Sequence, residues 1–341
     1  MKDGDRIMTR TALNTAWDVL RVLLEKENTK SFVSGQMVGD KLGISRAAVG
    51  KSVRVLRDMG FQILSVPSRG HRLSEMPDLL LPPLVENKLR TDHFGRDYHY
   101  YTEAASTNVV AKSLAPTLET GSVVLAEIQK QGKGRLERIW ESPEGGIYMS
   151  LFLRPDIATQ EVSRITLVIG EAIAAYLEDI SGIPAMIKWP NDIMMKDRKI
   201  CGILTWMDGD MDRVNWVIVG IGINVNIERD YFIEKELNTA GSLKMLTGAD
   251  FSRVDILTGL LGALETGYQS FLLDGFGKIV PRIRLRNYLL EKEVAVTGPR
   301  QRSKGICRGI DDDGCMILEV EGGGSYLVTS GDVTLRNSRK I

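Results

Sequence analysis

Cysteine and histidine are both scarce in this chain. Cys201, Cys307 and Cys315 are odd in number and form no Cys-x-x-Cys pair, and His71, His93 and His99 supply no zinc spacing. Neither a disulfide framework nor a structural metal site is indicated. No apolar run is long enough to cross a bilayer, and the opening MKDGDRIM lacks the basic and apolar regions of a signal peptide. These absences predict a cytoplasmic protein with no membrane partner. No GxxxxGK[ST] string occurs, which excludes a P-loop. Nor does any Cys-His or Ser-His arrangement point to a covalent enzyme nucleophile. Net charge is missing too, since 44 basic residues balance 44 acidic ones.

The 341 residues suffice for two or three domains with a substantial core, and 43% apolar with 26% charged content is ordinary for a globular protein. The charge is unevenly spread. Residues 1–75 hold 13 Lys plus Arg against 8 Asp plus Glu, a net of +5, which leaves −5 on the remainder. A basic first segment on a mildly acidic body points to a nucleic-acid-binding module.

Leu13, Ala16, Trp17, Leu20 and Leu24 recur at helical spacing. A second helix is predicted over Ser34 to Leu42, with Ser34 as its cap, and after Gly43 a third runs from Arg46 to Met59, capped by Ser45. Val49, Val53 and Leu56 face inward there, while Arg46, Lys51, Arg54 and Arg57 stay outside. Helix, glycine turn and basic helix make a helix-turn-helix, with Ser45, Arg46, Lys51 and Arg54 as its DNA-contacting candidates. Two short strands around Pro67-Ser68-Arg69-Gly70 supply a wing. Pro77, Pro82 and Pro83 then mark a linker over residues 76–83.

Beyond the linker, strand and helix signals mix. Ser106-Thr107-Asn108 opens a helix, where hydroxyls either cap their own backbone or bind a ligand's polar head. The stretch from Gln129 to Trp140 carries Gly132 and Gly134 among Lys133, Arg135 and Arg138, so backbone amides and countercharge can meet an anion. Met186 to Trp189 and Ile200 to Leu204 read as two strands of a hairpin around the polar turn Lys196 to Lys199. That arrangement brings Lys188 and Lys199 to the same hairpin region, where the two ammonium groups either point to water, the reading that spacing alone favours, or take an anion between them. Ile165 to Tyr176 is an apolar helical stripe, Trp216 to Asn226 a strand with Gly220 and Gly222 inside it, and Asp255 to Leu272 a helix. The polar stretch from Ile227 to Thr239 reads as a loop or short helix able to order over adenine. From Glu293 onward short strands alternate with turns, as in a small barrel.

The string Lys188-Trp189-Pro190-Asn191-Asp192, followed by Lys199 and Gly202-Ile203-Leu204, resembles the central motif of the biotin protein ligases. Gln129 to Trp140 resembles that family's glycine-arginine loop, Ser142 to Tyr148 and GIGINVN its neighbouring segments, and Ser330 to Arg336 its C-terminal signature. The first segment resembles the DNA-binding domain of ligases that double as biotin-operon repressors. The resemblance implies an α+β protein with a winged helix-turn-helix at 1–75, a mixed-sheet ligase domain at 84–280 and an SH3-like barrel at 281–341. It implies ATP-dependent formation of biotinoyl-adenylate with Mg²⁺, transfer of biotin to a lysine of a biotin carrier protein, and repression at operator DNA by a ligand-dependent homodimer.

By the same resemblance, Lys199, Lys133 and Arg135 stabilise the reacting phosphate. Biotin is held by Ser106, Thr107, Asn108, Gln129, Gly132, Lys133, Arg135, Lys199, Gly202 and Leu204. The nucleotide falls to Lys133, Arg135, Trp140, Lys188, Asn191, Asp192, Asn224 and Arg336, with Lys188 and Asp192 orienting nucleotide or metal. Two positions depart from the family pattern. Glu137 stands where a third glycine is usual, and Trp206 where a glutamate is. A lipoate ligase and a non-enzymatic regulator that binds the adenylate are the alternative readings.

Overall fold

The computed structural model describes residues 10–26, 31–210, 212–297 and 302–335. It divides into two compact units, residues 1–88 and 89–341. In the first unit, helix α1 (Arg10–Leu24) buries Ala16, Val19, Leu20 and Leu23. Helix α2 (Gly35–Leu42) starts at Ser34, whose hydroxyl accepts from the Met37 N–H at 3.0 Å, and stops at Gly43 with φ +67°. Helix α3 (Arg46–Asp58) is capped by Ser45, which accepts from the Ala48 N–H at 3.2 Å. Both caps are as expected from the residue types, because a short side-chain oxygen satisfies a first-turn donor. Val49, Val53 and Leu56 are buried, whereas Ser45, Arg46, Lys51 and Arg54 are exposed.

Strands β1 (Gln62–Val66) and β2 (Gly70–Glu75) pair antiparallel as the wing. An isolated bridge from Val33 to His71 fastens α2 to it. Helix α4 (Pro82–Lys88) begins inside the stretch read as a linker, and the first unit extends through it to Lys88. Proline is admitted there because the first helical turn needs no N–H from it.

The second unit is built on a seven-stranded sheet. Its strands are β3 (Tyr98–Ala104), β4 (Val123–Gln129), β5 (Gly146–Leu153), β6 (Ala185–Lys188), β7 (Asp192–Met195), β8 (Arg198–Gly209) and β9 (Val214–Asn224). The order is β3-β4-β5-β9-β8-β7-β6. Only β3 and β4 are parallel, joined through helix α5 (Thr107–Leu114), so the sheet is mixed.

One expected element changes. The hairpin read between Met186 and Leu204 is three strands, since Asp192 to Met195 adds β7 between the two expected. Lys196 and Asp197 alone make the second turn, both at positive φ, and Lys199 lies inside β8 rather than in the turn. The four residues of β7 hold three apolar side chains between polar turns, too short a run for a periodic signal.

Each face of the sheet has its own cover. Helix α6 (Val162–Ser181) lies over one face, where Thr166 and Thr205 share a hydroxyl hydrogen bond of 2.8 Å. The next residue, Trp206, points to the opposite face and packs with Ala111, Ala115, Phe152 and Ile218 around α5. This alternation is the period of two expected of a strand. Helices α7 (Arg229–Glu234), α8 (Leu243–Thr247), α9 (Arg253–Asp274) and α10 (Val280–Leu285) follow. The chain then enters a five-stranded antiparallel sheet of β10 (Glu293–Thr297), β11 (Arg302–Ile310), β12 (Met316–Glu319), β13 (Ser325–Val328) and β14 (Asp332–Leu335), the expected SH3-like element.

Candidate active site

A pocket opens on the α5 face of the large sheet, and its floor follows from register. Gly202 of β8 pairs with Gly222 of β9, and Leu204 pairs with Gly220. Residues two apart on a strand share a face, so the three glycines leave a strip of bare backbone. A methyl on Gly202 or Gly222 would come within 2.7 or 2.4 Å of the Trp140 indole. That ring therefore lies directly on the strip. Its Nε1 is buried without a hydrogen-bond partner, and Lys199 Nζ stands 5.1 Å from the ring centre.

One wall is a chain of hydrogen bonds. Gln129 donates from Nε2 to Ser142 Oγ at 2.9 Å and accepts at Oε1 from the Thr107 N–H at 2.9 Å. Ser150 Oγ lies 2.8 Å from Thr107 Oγ1 and 2.6 Å from Asn108 Oδ1, and Asn108 Nδ2 donates to the Leu204 carbonyl at 3.2 Å. Ser106 stands at the α5 N-cap but its side chain makes no capping bond. Buried polar groups so connected hold one geometry, because each broken link would strand a desolvated donor or acceptor.

The opposite wall is charged. Lys199 Nζ is 2.8 Å from Asp192 Oδ1, yet off the hydrogen-bonding direction, which leaves that buried oxygen without a donor. Asp192 is thus the countercharge to Lys199, and it stands opposite Lys188 in the β6–β7 register. The anion that the two lysines could take between them is in part a side chain of the same motif. Arg135 donates to Asn191 Oδ1 at 3.3 Å, and Asn191 Nδ2 in turn donates to the Ile203 carbonyl at 2.9 Å. Burial weakens the hold of Arg135 on its proton, with Asp332 and Asp192 opposing that effect. An arginine stays charged nonetheless. Arg138 pairs with Asp332 at 2.5 Å.

The loop from Gly132 to Trp140 folds back on itself. Trp140 N–H donates to the Gly132 carbonyl at 2.8 Å and Gly134 N–H to the Arg138 carbonyl at 2.7 Å. At its tip Leu136 and Glu137 take φ values of +54° and +58°. Glu137 occupies the left-handed region that a glycine in its place would adopt without strain.

Ser106, Thr107, Asn108, Gln129, Lys133, Arg135, Trp140, Asn191, Asp192, Lys199, Gly202 and Leu204 all line this pocket. Gly132, Lys188 and Asn224 do not. Gly132 serves the loop through its backbone, and Asn224 gives its amide to the Gly241 carbonyl at 2.9 Å. Arg336 lies outside the described residues. Trp189 of the same motif turns away, its Nε1 donating to the Gly314 carbonyl at 3.0 Å. Sequence reasoning missed Ser150 and Asp332. Ser150 had a signal, as the one hydroxyl-bearing aliphatic position in the wholly buried strand β5. Asp332 had none beyond its place in a short string.

Four cations, Lys133, Arg135, Arg138 and Lys199, face two carboxylates, Asp192 and Asp332, so the pocket carries excess positive charge over a bare glycine floor. That combination suits a flat apolar ring joined to an anionic tail.

A profile of the Biotin/lipoate A/B protein ligase family matches residues 100–224, and an HTH domain profile matches residues 19–72. The chain is 36% identical over 301 residues to the bifunctional ligase/repressor BirA of Bacillus spizizenii, covering 86% of this chain and 90% of that protein. The chain belongs to the bifunctional ligase/repressor family. To the Escherichia coli ligase/repressor it is 29% identical over 311 residues, which cover 91% of this chain and 94% of that one. Among solved structures, the biotin protein ligase of Aquifex aeolicus in complex with biotin and ATP superposes with a TM-score of 0.62 at 30% identity. It covers 71% of this chain and 99% of its own. The ligase profile spans β3 to β9 and so contains every lining residue except Asp332. Among the described residues no helix is long and apolar enough to cross a membrane.

Proposed function

We propose that the chain activates biotin with ATP and passes it to a lysine of a biotin carrier protein, and that the same adenylate governs repression at an operator. A biotin carboxylate oxygen attacks the α-phosphorus, the bond to the β-phosphate breaks, and pyrophosphate leaves. The carrier lysine then attacks the acyl carbon and AMP departs. Lys199, Lys133 and Arg135 are the catalytic residues of this reading, donors aimed where negative charge grows. Trp140 is displaced from the glycine strip when biotin lies there and then covers the pocket against water. Ser106, Thr107, Asn108 and Gln129 hold the polar head of biotin, while Asn191 and Asp192 orient the nucleotide, with Lys188, Asn224 and Arg336 assigned to its outer reach.

Mg²⁺ fits as a companion of the nucleotide phosphates. Among the described residues no cluster of three His, Cys, Asp or Glu forms a metal cage. Asp192 and Asp332 are the two carboxylates on the pocket wall, a number usual for an ion held mainly by phosphate and water. Residues 1–75 are assigned to operator binding, 84–280 to ligation and 281–341 to closure of the pocket, and the cytoplasm is the place of action.

The observation that carries this reading is the meeting of Lys199, Lys133 and Arg135 over one glycine floor. Pyrophosphate release from ATP, measured with biotin and with lipoate in turn, tests it. Release with biotin alone, followed by single-turnover transfer to a carrier domain, is the expected result. Release with lipoate, or adenylate formed without transfer, would establish one of the alternatives instead.

A further inference from the structure

The first unit holds a second groove, between the starts of α2 and α3 and the wing, whose walls include Ser34, Arg46, Ser65, Ser68 and His71. No carboxylate lines it. Arg46 Nε and His71 Nε2 each lie 3.7 Å from where a side chain on Gly35 would begin, so both border the same gap. Three further arginines lie on the elements beside the groove, and one carboxylate, Asp40, accepts from the lining Gln36 at 2.7 Å. The guanidinium carbons of Arg69 and Arg72 sit over the Phe32 ring at 4.6 and 5.0 Å, and Arg57 donates to Ser65 Oγ at 2.7 Å.

Ser65 Oγ is also 2.7 Å from His71 Nδ1. Arg57 has donors only, so it occupies a lone pair of the hydroxyl and leaves the hydroxyl proton free to point at Nδ1. An imidazole that accepts at Nδ1 carries its proton on Nε2, which faces the groove. Burial, and after it the Arg57 and Arg46 charges, lower the pKa of His71 below its usual value, so the ring is neutral at pH 8.

We propose that this groove clamps a DNA backbone phosphate, with Arg46 supplying the charge and His71 Nε2–H a neutral hydrogen bond whose tautomer the Arg57–Ser65 relay positions. The proposal rests on the operator-binding reading above, keeps Arg46 from the basic face of α3 and adds His71 and Ser65 from the wing. A phosphate contact fixes register on the duplex without reading bases.

Because the contact is independent of sequence, a random duplex spanning two half-sites suffices as the probe, titrated against the full chain at pH 8 over a range of salt. Arg46→Gln should weaken binding and lower the salt slope by about 0.9, the share of one neutralised phosphate. His71→Phe should weaken binding about tenfold, as loss of one hydrogen bond to a charged group does, with the slope unchanged. Ser65→Ala should lose part of that affinity, and Ser65→Thr should restore it. Long-range nitrogen NMR of the His71 imidazole should report the Nε2–H form when duplex is added, and little change with inorganic phosphate alone.

Full affinity in His71→Phe, a slope lowered as far as in Arg46→Gln, or an unaltered tautomer in Ser65→Ala would each overturn the clamp. An equal response to inorganic phosphate would replace DNA with a free anion as its ligand. A wild-type chain that binds no duplex would remove the DNA reading and the clamp together, whereas a wild-type chain that binds while His71→Phe binds equally removes the clamp alone. Circular dichroism and biotin-dependent pyrophosphate release confirm folding of each variant, and the NMR measurement on the unmodified chain stands whether or not His71→Phe folds.

Discussion

In the proposed reaction the chemistry turns on Lys199. Its ammonium group sits between the Asp192 carboxylate and the Trp140 ring, both of which favour a fixed position over a free, solvated one. Lys199→Met is expected to lower adenylation about a hundredfold to a thousandfold, the usual effect of removing one donor from a transition-state charge. Pyrophosphate release by a variant with an unchanged circular dichroism spectrum checks it, and a loss under tenfold would remove Lys199 from the centre of the mechanism. Glu137 supports a second expectation at this scale. Its φ of +58° is strained for any side chain, and its carboxylate sits on the loop that carries Lys133 and Arg135. Glu137→Gly relieves the strain and one like charge toward a phosphate, so biotinoyl-adenylate should dissociate more slowly. A faster off-rate would make Glu137 a working part of the loop.

At the scale of elements, the glycine strip depends on pairing rather than on any one residue. Gly202 and Gly222 are level across β8 and β9, so a methyl on either reaches the volume now held by the Trp140 ring. Gly222→Ala should preserve the sheet, since β9 is otherwise a good strand, while raising the KM for biotin about tenfold or more, in line with overpacking of about 1–3 kcal/mol. Unchanged biotin affinity in a folded variant would show that the ligand lies elsewhere.

Helix α9 offers a pH test. Burial pushes the Glu265 carboxyl up, but N–H donors from Asp92, His93 and Phe94, at 2.9, 2.6 and 2.9 Å, outweigh it and the folded-state pKa is lowered. A depressed carboxyl stabilises the fold above its unfolded value of 4.5, and that contribution is lost as pH falls through the folded pKa. Denaturant titrations should therefore show Glu265→Gln losing its deficit against wild type only in the acid range. A deficit constant from neutral pH into the acid range would mean that the charge plays no part.

For the whole molecule, the adenylate is expected to be both intermediate and corepressor. One winged helix reads a half-site, so operator binding needs two copies about one helical turn apart or a multiple of it. If the adenylate orders the loop from Gly132 to Arg138 and thereby completes a pairing surface, linkage requires operator DNA to tighten adenylate binding by the same factor. Trp206 bears on this, because it is a large apolar residue on the central sheet, and its ring is partly covered by the α5 cluster. Sedimentation with and without adenylate, then operator titration at matched salt, checks the sequence of steps. An unchanged monomer that binds operator equally in both states would sever repression from ligation.

Much of this protein is legible in its residues. Ser34 and Ser45 announce their helices because a capping oxygen and the turn it caps are neighbours in sequence. The loop from Gln129 to Trp140 and the string around Lys188 announce themselves as charged stretches, because charge and glycine spacing are local. The period of two is enough by itself to put Gly220 and Gly222 on one face of their strand. What only the tertiary structure decided was which distant groups meet. Asp192 became the counterion of Lys199 through a β7 strand too short to read, and Trp189 left the site for Gly314. Ser150 linked α5 to β5, and Asp332 arrived from the C-terminal sheet to hold Arg138. Register across strands and the closure of one sheet against another are set by the packing of the whole core, and no local pattern of side chains encodes them.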